Sequence, residues 1–182
     1  MQMIITAKNG KAVELRRLGS SDLNGLLEYL SRLSENTRRR FGPHPFDRQS
    51  VIDFYDNPAL HWGFVAQDVE SGAIVAYSII RPGYLEHDGR RLQSYGWWPD
   101  ADSDCTYAPS VADDWQSLGV GNSLWQFILA ELKSKGLRRV ILWGGVQSDN
   151  EKAVNFYRKN GFRMLGRFEH NGWNDDMVLE LT

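Results

Sequence analysis

One cysteine, no long apolar run and no surplus of charge in either sign set the first limits on this chain of 182 residues. The lone Cys105 cannot close an internal disulfide, and the N-terminus shows no basic region, apolar run and small-residue cleavage site in succession. Both absences favour a cytoplasmic protein. The most apolar windows, 72–80 and 140–146, fall far short of the roughly 20 residues that a spanning helix needs, so no membrane segment is expected. With 21 Lys and Arg against 23 Asp and Glu, the net charge of −2 creates no broad field to attract nucleic acid or anionic lipid. His44, His61 and His170 lie in separate segments without metal-ligand spacing, so no metal is expected. No internal repeat or low-complexity linker divides the chain. What is present is 42% hydrophobic residues with seven Trp and eight Phe, enough for a single packed domain, expected over 12–182.

The segment 12–17 (Ala-Val-Glu-Leu-Arg-Arg) predicts a first strand, and Ser20, Ser21 and Asp22 are suited to cap the helix that follows. Leu23, Leu26, Leu27, Leu30 and Leu33 share one helical face and form a core stripe. Ser34 to Thr37 can cap a second helix carrying Arg38, Arg39 and Arg40, a charge run read first as a solvated face. A short helical segment from Val51 to Tyr55 stops near Asn57-Pro58. Segments 61–68 and 73–81 predict a hairpin joined by 69–72. The polar and aromatic stretch 82–102 resists assignment, and a connection that long tends to be functional. Segment 105–112 predicts a strand that Pro109 marks as an edge or bulge. A strong helix over 121–135, a buried strand over 139–144, a helix over 150–160 and a hairpin around Asn171-Gly172 complete the order. This alternation implies a mixed α/β sheet with helices on both faces.

Chemistry concentrates between Asp113 and Phe162. The turn Gln116-Ser-Leu-Gly119-Val-Gly121 opens the helix, where missing β-carbons and unpaired helix-start N–H groups favour an anion. A simple tight turn would look the same. The Lys and Ser/Thr of a P-loop are missing, since Asn122 and Ser123 follow Gly121, and the third glycine of a dinucleotide fingerprint is missing too. The second signal is Asn150-x-x-Ala153-x-x-x-Tyr157-x-Lys159-x-Gly161-Phe162.

These two motifs, in this order, resemble the GNAT superfamily of N-acetyltransferases, and the likeness in element order runs from about Ala12 to Leu181. It implies a mostly antiparallel mixed sheet with a V-shaped split between the fourth and fifth strands and acetyl-CoA lying in the gap. Backbone groups of Val111, Ala112 and Asp113 would pair with the pantetheine amides. Gln116 opens the pyrophosphate loop, and the N–H groups of Leu118, Gly119, Val120, Gly121, Asn122 and Ser123 would hold the pyrophosphate. Asn150 would hydrogen-bond the pantetheine arm. The implied reaction is direct attack of a primary amine on the thioester in a ternary complex.

Tyr157 stands where relatives carry the general acid for the leaving thiolate, and a phenol with pKa of about 10 is protonated at neutral pH. Core packing beside Phe156 is the plain alternative. Many relatives carry a basic Glu where this chain has Thr106. Asp104, two residues earlier, shares that face at roughly 7 Å along the strand and is the first candidate base, acting through water; His87 and Glu86 follow. Cys105 is read as a small buried residue. On the acceptor side, segments 41–46, 84–98 and 170–175 bring Tyr95, Trp97, Trp98, Trp173 and Asp175, which suit either a cation or a core. A small-molecule amine acceptor leads, with a protein lysine or N-terminus as the alternative. A non-catalytic acyl-CoA sensor is a further alternative, motivated by Thr106. Exposed aromatics on the long connection or the terminal hairpin would also serve as a homodimer surface.

Overall fold

Alternation of buried and open side chains carries Ala12–Arg17 into a sheet. A computed structural model describes every residue from Met1 to Thr182 and divides the chain into two compact units, Met1–Ile79 with Ala108–Glu131 and Ile80–Tyr107 with Leu132–Thr182.

In the first unit, β1 (Gln2–Thr6) pairs antiparallel with β2 (Ala12–Arg17) from Gln2↔Arg16 to Thr6↔Ala12. The expected domain start at Ala12 omits β1, whose run of Met and Ile lacks the alternation that marks β2. Val13 and Leu15 of β2 are fully buried. β3 (Trp62–Asp68) follows antiparallel to β2, and β4 (Ile74–Pro82) lies next to it. Their connection is the expected hairpin, closed by Gly72 at φ 73°. β5 (Asp104–Val111) continues this order, its end tied to β4 by the Ala112 N–H on the Val75 carbonyl.

The leucine stripe forms α1 (Leu23–Arg32), which buries Leu26, Tyr29 and Leu30. Burial of a leucine contributes about 1.5–3 kcal/mol, which offsets part of the entropy lost in ordering the helix. α2 (Glu35–Arg40) is capped by Ser34, and α3 (Arg48–Phe54) by Asp47, whose side chain accepts the Ser50 N–H and starts the helix earlier than its apolar pattern suggests. Tyr29 meets Tyr77 edge-on at 6.4 Å. α5 (Val120–Ser134) sets Phe127 edge-on to Phe64, also at 6.4 Å.

In the second unit β5 pairs parallel with β6 (Arg139–Leu142) over only four residues, Asp104↔Arg139 to Tyr107↔Leu142. The Trp143 N–H makes one last bond to the Tyr107 carbonyl, then Gly144 and Gly145 turn away at φ 64° and 72°. Strand groups alternate sides, so Pro109 and Val111 point their backbone toward the side Tyr107 uses, past the end of this pairing. Proline therefore sits in β5 without removing a ladder bond. β9 (Trp173–Glu180) pairs antiparallel with β6, with the two-residue β7 (Val146–Gln147) and with β8 (Arg163–Glu169). The β8–β9 turn is the expected Asn171-Gly172, both residues left-handed at φ 52° and 104°. α6 (Glu151–Lys159) is the predicted late helix. The sheet is open, mixed and mostly antiparallel.

The unassigned stretch 82–102 contains a further helix, α4 (Glu86–Ser94). Charge replaces an apolar stripe as its anchor. Arg91 grips buried Asp176 with two bonds of 2.7 and 2.9 Å, pairs with Asp88 at 2.9 Å and lies 3.7 Å from the Phe168 ring centroid. Tyr95 donates to Asp176 at 2.8 Å, and its ring occupies the space above Gly166. Tyr84, Tyr95 and Trp97 pack around Leu92, Ile141 and Val178, so these aromatics build core.

Candidate functional site

The first unit carries the glycine loop. After β5 a short turn over Asp113–Trp115 leads to Gln116, then Ser117 and Gly119 adopt left-handed φ of 63° and 86° before α5 begins at Val120. A left-handed Ser117 costs about 1 kcal/mol or more, strain of the kind stored at binding sites. Gly121 brings the helix against β5: a β-carbon there would stand 3.2 Å from Val111 Cγ2. Gln116 Nε2 donates to the Val111 carbonyl at 3.3 Å, fixing the strand end to the loop.

Not every expected backbone group remains open. The Ser123 N–H closes the first helical bond on the Gly119 carbonyl at 3.0 Å, which withdraws it from the anion cradle. Ala112 donates its N–H to the Val75 carbonyl and accepts the Trp115 N–H on its own carbonyl, and Asp113 turns out of the strand. Of the three edge residues, Val111 thus keeps its N–H on the unpaired side, while its carbonyl accepts from Gln116. The Asp113 carboxylate accepts from Ser34 N–H, Ser34 Oγ and Thr37 Oγ1 at 2.7–2.9 Å, and the Ser34 N–H leads the groups that lower its pKa. It anchors the start of α2. Lys8, which the sequence pattern does not single out, donates its N–H to the Leu118 carbonyl and brings its Cε to 3.9 Å from a Gly119 β-carbon position. It comes from the β1–β2 hairpin, and only that pairing could have revealed it.

In the second unit, Asn150 caps α6 by accepting the Ala153 N–H through its side chain at 3.4 Å. Gly161, at φ 90°, lets the Phe162 N–H return to the Tyr157 carbonyl at 3.0 Å, which fixes the backbone of Tyr157. The Tyr157 ring is buried among Tyr107, Phe156 and Phe162 at 5.3–6.5 Å. Burial raises its pKa above the ordinary value, and no protein group hydrogen-bonds its hydroxyl.

The expected bases are placed differently. Asp104 is fully buried, takes two bonds of 2.8 Å from Arg139 and accepts the Asp100 N–H at 2.7 Å. Thr106 donates to the Gly83 carbonyl at 2.9 Å. With its oxygens committed to Arg139 and a main-chain N–H, Asp104 is an anchor, and the expectation that it reaches a substrate through water is withdrawn. Glu86 and His87 lie on the exposed first turn of α4. Cys105 is buried, and burial followed by the Asp104 charge raises its pKa, leaving a poor nucleophile. Trp98 and Trp173 are exposed, whereas buried Asp175 is held by Ser148 and Arg167 at 2.8 and 2.7 Å. No group of His, Cys, Asp and Glu has the arrangement of a metal site, and no helix is long and apolar enough to cross a membrane.

An open mixed sheet, a glycine-conditioned helix start after one inner strand and a tyrosine on the helix after the next define the class of acetyl-CoA-dependent acetyltransferase folds. The acetyltransferase (GNAT) family model matches residues 27–162, and the chain belongs to that family. It is 45% identical over 130 residues to the mycothiol acetyltransferase of Cellulomonas flavigena, covering 68% of this chain and 34% of that protein. Against the mycothiol acetyltransferase of Geodermatophilus obscurus it is 35% identical over 88 residues, 43% of this chain and 28% of the other. The chain thus spans about a third of the length of these two curated relatives. It is 20% identical over 169 residues to the phosphinothricin N-acetyltransferase of Streptomyces viridochromogenes, covering 91% and 85% of the two chains. Among solved structures, the GNAT domain of S. lividans PAT superposes with a TM-score of 0.76 at 18% identity, covering 99% of this chain and 97% of the other. The yncA protein from Salmonella typhimurium, with its cofactor acetyl-CoA, gives 0.68 at 14% identity over 93% and 94%.

Proposed function

We propose that the chain transfers the acetyl group of acetyl-CoA to a primary amine of a small molecule, by direct attack in a ternary complex. The observation that carries this reading is the loop at Gln116–Asn122: two left-handed residues lead into a long helix whose start, bare of a side chain at Gly121, packs against Val111 at the end of β5. Acetyl-CoA supplies an acyl group activated as a thioester. The N–H groups of Leu118, Gly119, Val120, Gly121 and Asn122, with Lys8 beside them, hold the pyrophosphate. Val111 pairs with a pantetheine amide as an added strand does, and the Asn150 amide N–H, its oxygen being used in the cap, serves the arm. Tyr157, kept protonated by burial, gives its proton to the departing thiolate. Relatives named for mycothiol and phosphinothricin, both small molecules, support a small acceptor.

Calorimetric titration with acetyl-CoA tests the reading. Wild type should bind, and Gly121→Glu, folded by its melting profile, should not, because the new carboxylate both crowds Val111 and repels phosphate. Equal binding by both proteins, or none by wild type, refutes it.

A further inference from the structure

A chain of hydrogen bonds in the first unit runs one way through buried aromatic residues. His44 Nδ1 lies 2.7 Å from the Pro45 carbonyl oxygen, which can only accept, so Nδ1 carries the proton and Nε2 of the neutral ring accepts. The Tyr77 hydroxyl, 2.9 Å from Nε2, donates to it, and with its proton so placed it accepts from the Tyr55 hydroxyl. Polarity is fixed from end to end. Tyr77 is fully buried and His44 is only 6% exposed, whereas Tyr55 borders a cavity of about 390 Å³ together with Leu18, Ile52, His61, Trp62 and Gly63. The hydroxyl lies among residues that line it, since a β-carbon on Gly63 would stand 2.8 Å from the Tyr55 oxygen and 2.7 Å from Leu18 Cδ2. The Tyr55 proton points to Tyr77, so to any further partner its oxygen offers lone pairs. A ligand group that meets this oxygen does so as a donor, as an amine does.

We infer that this cavity takes the amine acceptor and that Tyr55, Tyr77 and His44 carry its proton away; the inference rests on the acetyltransferase reading. It answers a gap in that reading, because Asp104 and Thr106 are both committed elsewhere. As the nitrogen lone pair forms the C–N bond, the surplus N–H proton passes to the Tyr55 oxygen. The Tyr55 proton moves to Tyr77 and the Tyr77 proton to His44 Nε2, leaving an imidazolium whose Nδ1–H stays on Pro45. The C–S electron pair leaves with sulfur, which takes the Tyr157 proton. After release the three bonds reverse and return the relay proton to water, and Tyr157 regains from water the proton it gave to sulfur. Tyr55 is the catalytic group of this set, and His44, acting through two tyrosines, is a positioning residue.

The surroundings suit the task. Leu18, Ile52 and Trp62 favour an uncharged amine on an apolar body, and Arg17 on the same wall is paired with Glu131 at 2.9 Å. Around the relay, Arg38 lies over Phe46 at 5.6 Å, His61 stacks on Phe54 at 3.7 Å and Tyr29 meets Tyr77. Burial, ahead of the nearby His61, holds the His44 pKa below its ordinary value, so the ring is neutral at pH 7.

Tyr55→Phe removes one oxygen and keeps the ring. Thiol release is followed against pH with phenethylamine and hexylamine as acceptors, beside calorimetric titration with acetyl-CoA. The base must be neutral to work, so wild-type kcat should fall as pH drops through a value below 6.5, the ordinary histidine pKa. Tyr55→Phe should lose about a hundredfold in kcat and this acid limb, with acetyl-CoA affinity unchanged. His44→Asn should do the same; should it fail to fold, Tyr55→Phe decides. Unchanged kcat and acid limb in Tyr55→Phe overturn the inference, as does a wild type that binds acetyl-CoA but acetylates neither amine. A wild type that binds no acetyl-CoA overturns instead the reading beneath it.

Discussion

Replacing Asp104 with Asn separates an anchor from a base. Asp104 is fully buried and accepts three bonds, two from Arg139 and one from the Asp100 N–H. Arg139 in turn stacks on Trp97, with its guanidinium carbon 4.1 Å from the ring centroid, and donates to the Trp98 carbonyl at 3.0 Å. Removing one charge of a buried pair typically costs 3–5 kcal/mol. Asn keeps the shape and one acceptor oxygen, which places the expected loss near the lower end, about 3 kcal/mol. With a urea slope of about 2 kcal/mol/M, the unfolding midpoint should drop by about 1.5 M. Below that midpoint kcat should stay within about twofold of wild type, since a fully buried carboxylate touches no substrate. Near-ultraviolet circular dichroism should report the disturbed Trp97. A kcat lower by about a hundredfold with an unshifted midpoint would refute this reasoning and return Asp104 to the role of base.

Tyr157→Phe should lower kcat by about a hundredfold without changing acetyl-CoA affinity in calorimetry. The donor must keep its proton and burial raises its pKa, so the wild-type alkaline limb should lie above pH 10, the ordinary phenol value. Lys8→Ala should weaken acetyl-CoA binding by about three- to fivefold, with the difference shrinking as salt is added. Gly166→Ala would set a β-carbon into the Tyr95 ring, costing about 1–3 kcal/mol and about 2–4 °C of melting temperature per kcal/mol, readable by calorimetry.

Elements whose stability comes from local pattern were legible in the sequence. The leucine stripe, the Gly121 helix and the Asn171-Gly172 turn each carry their signal within a few residues, and each forms where the pattern places it. α4 did not show itself, because its hold is an ion pair between Arg91 and Asp176, 85 positions apart, on a helix with one buried apolar side chain. β1 lacked alternation. The loop of the candidate site was readable because glycine at fixed spacing is a local backbone requirement, whereas the base was not. Asp104 shares a strand face with Thr106 as spacing implies, yet spacing cannot show that Arg139 already holds it. The His44 relay joins three separate segments, and only the fold sets them in a line.

Pro109 lies on the part of β5 that has outrun its pairing with β6. An unpaired strand edge is an invitation to any extended chain, and edge pairing is a common start of aggregation. By removing one N–H from that edge, the proline breaks the run of rungs a foreign strand would need, while Val111 keeps a rung for a single amide. The strand edge can thus stay open to a ligand that asks for one bond and closed to a polypeptide that asks for several.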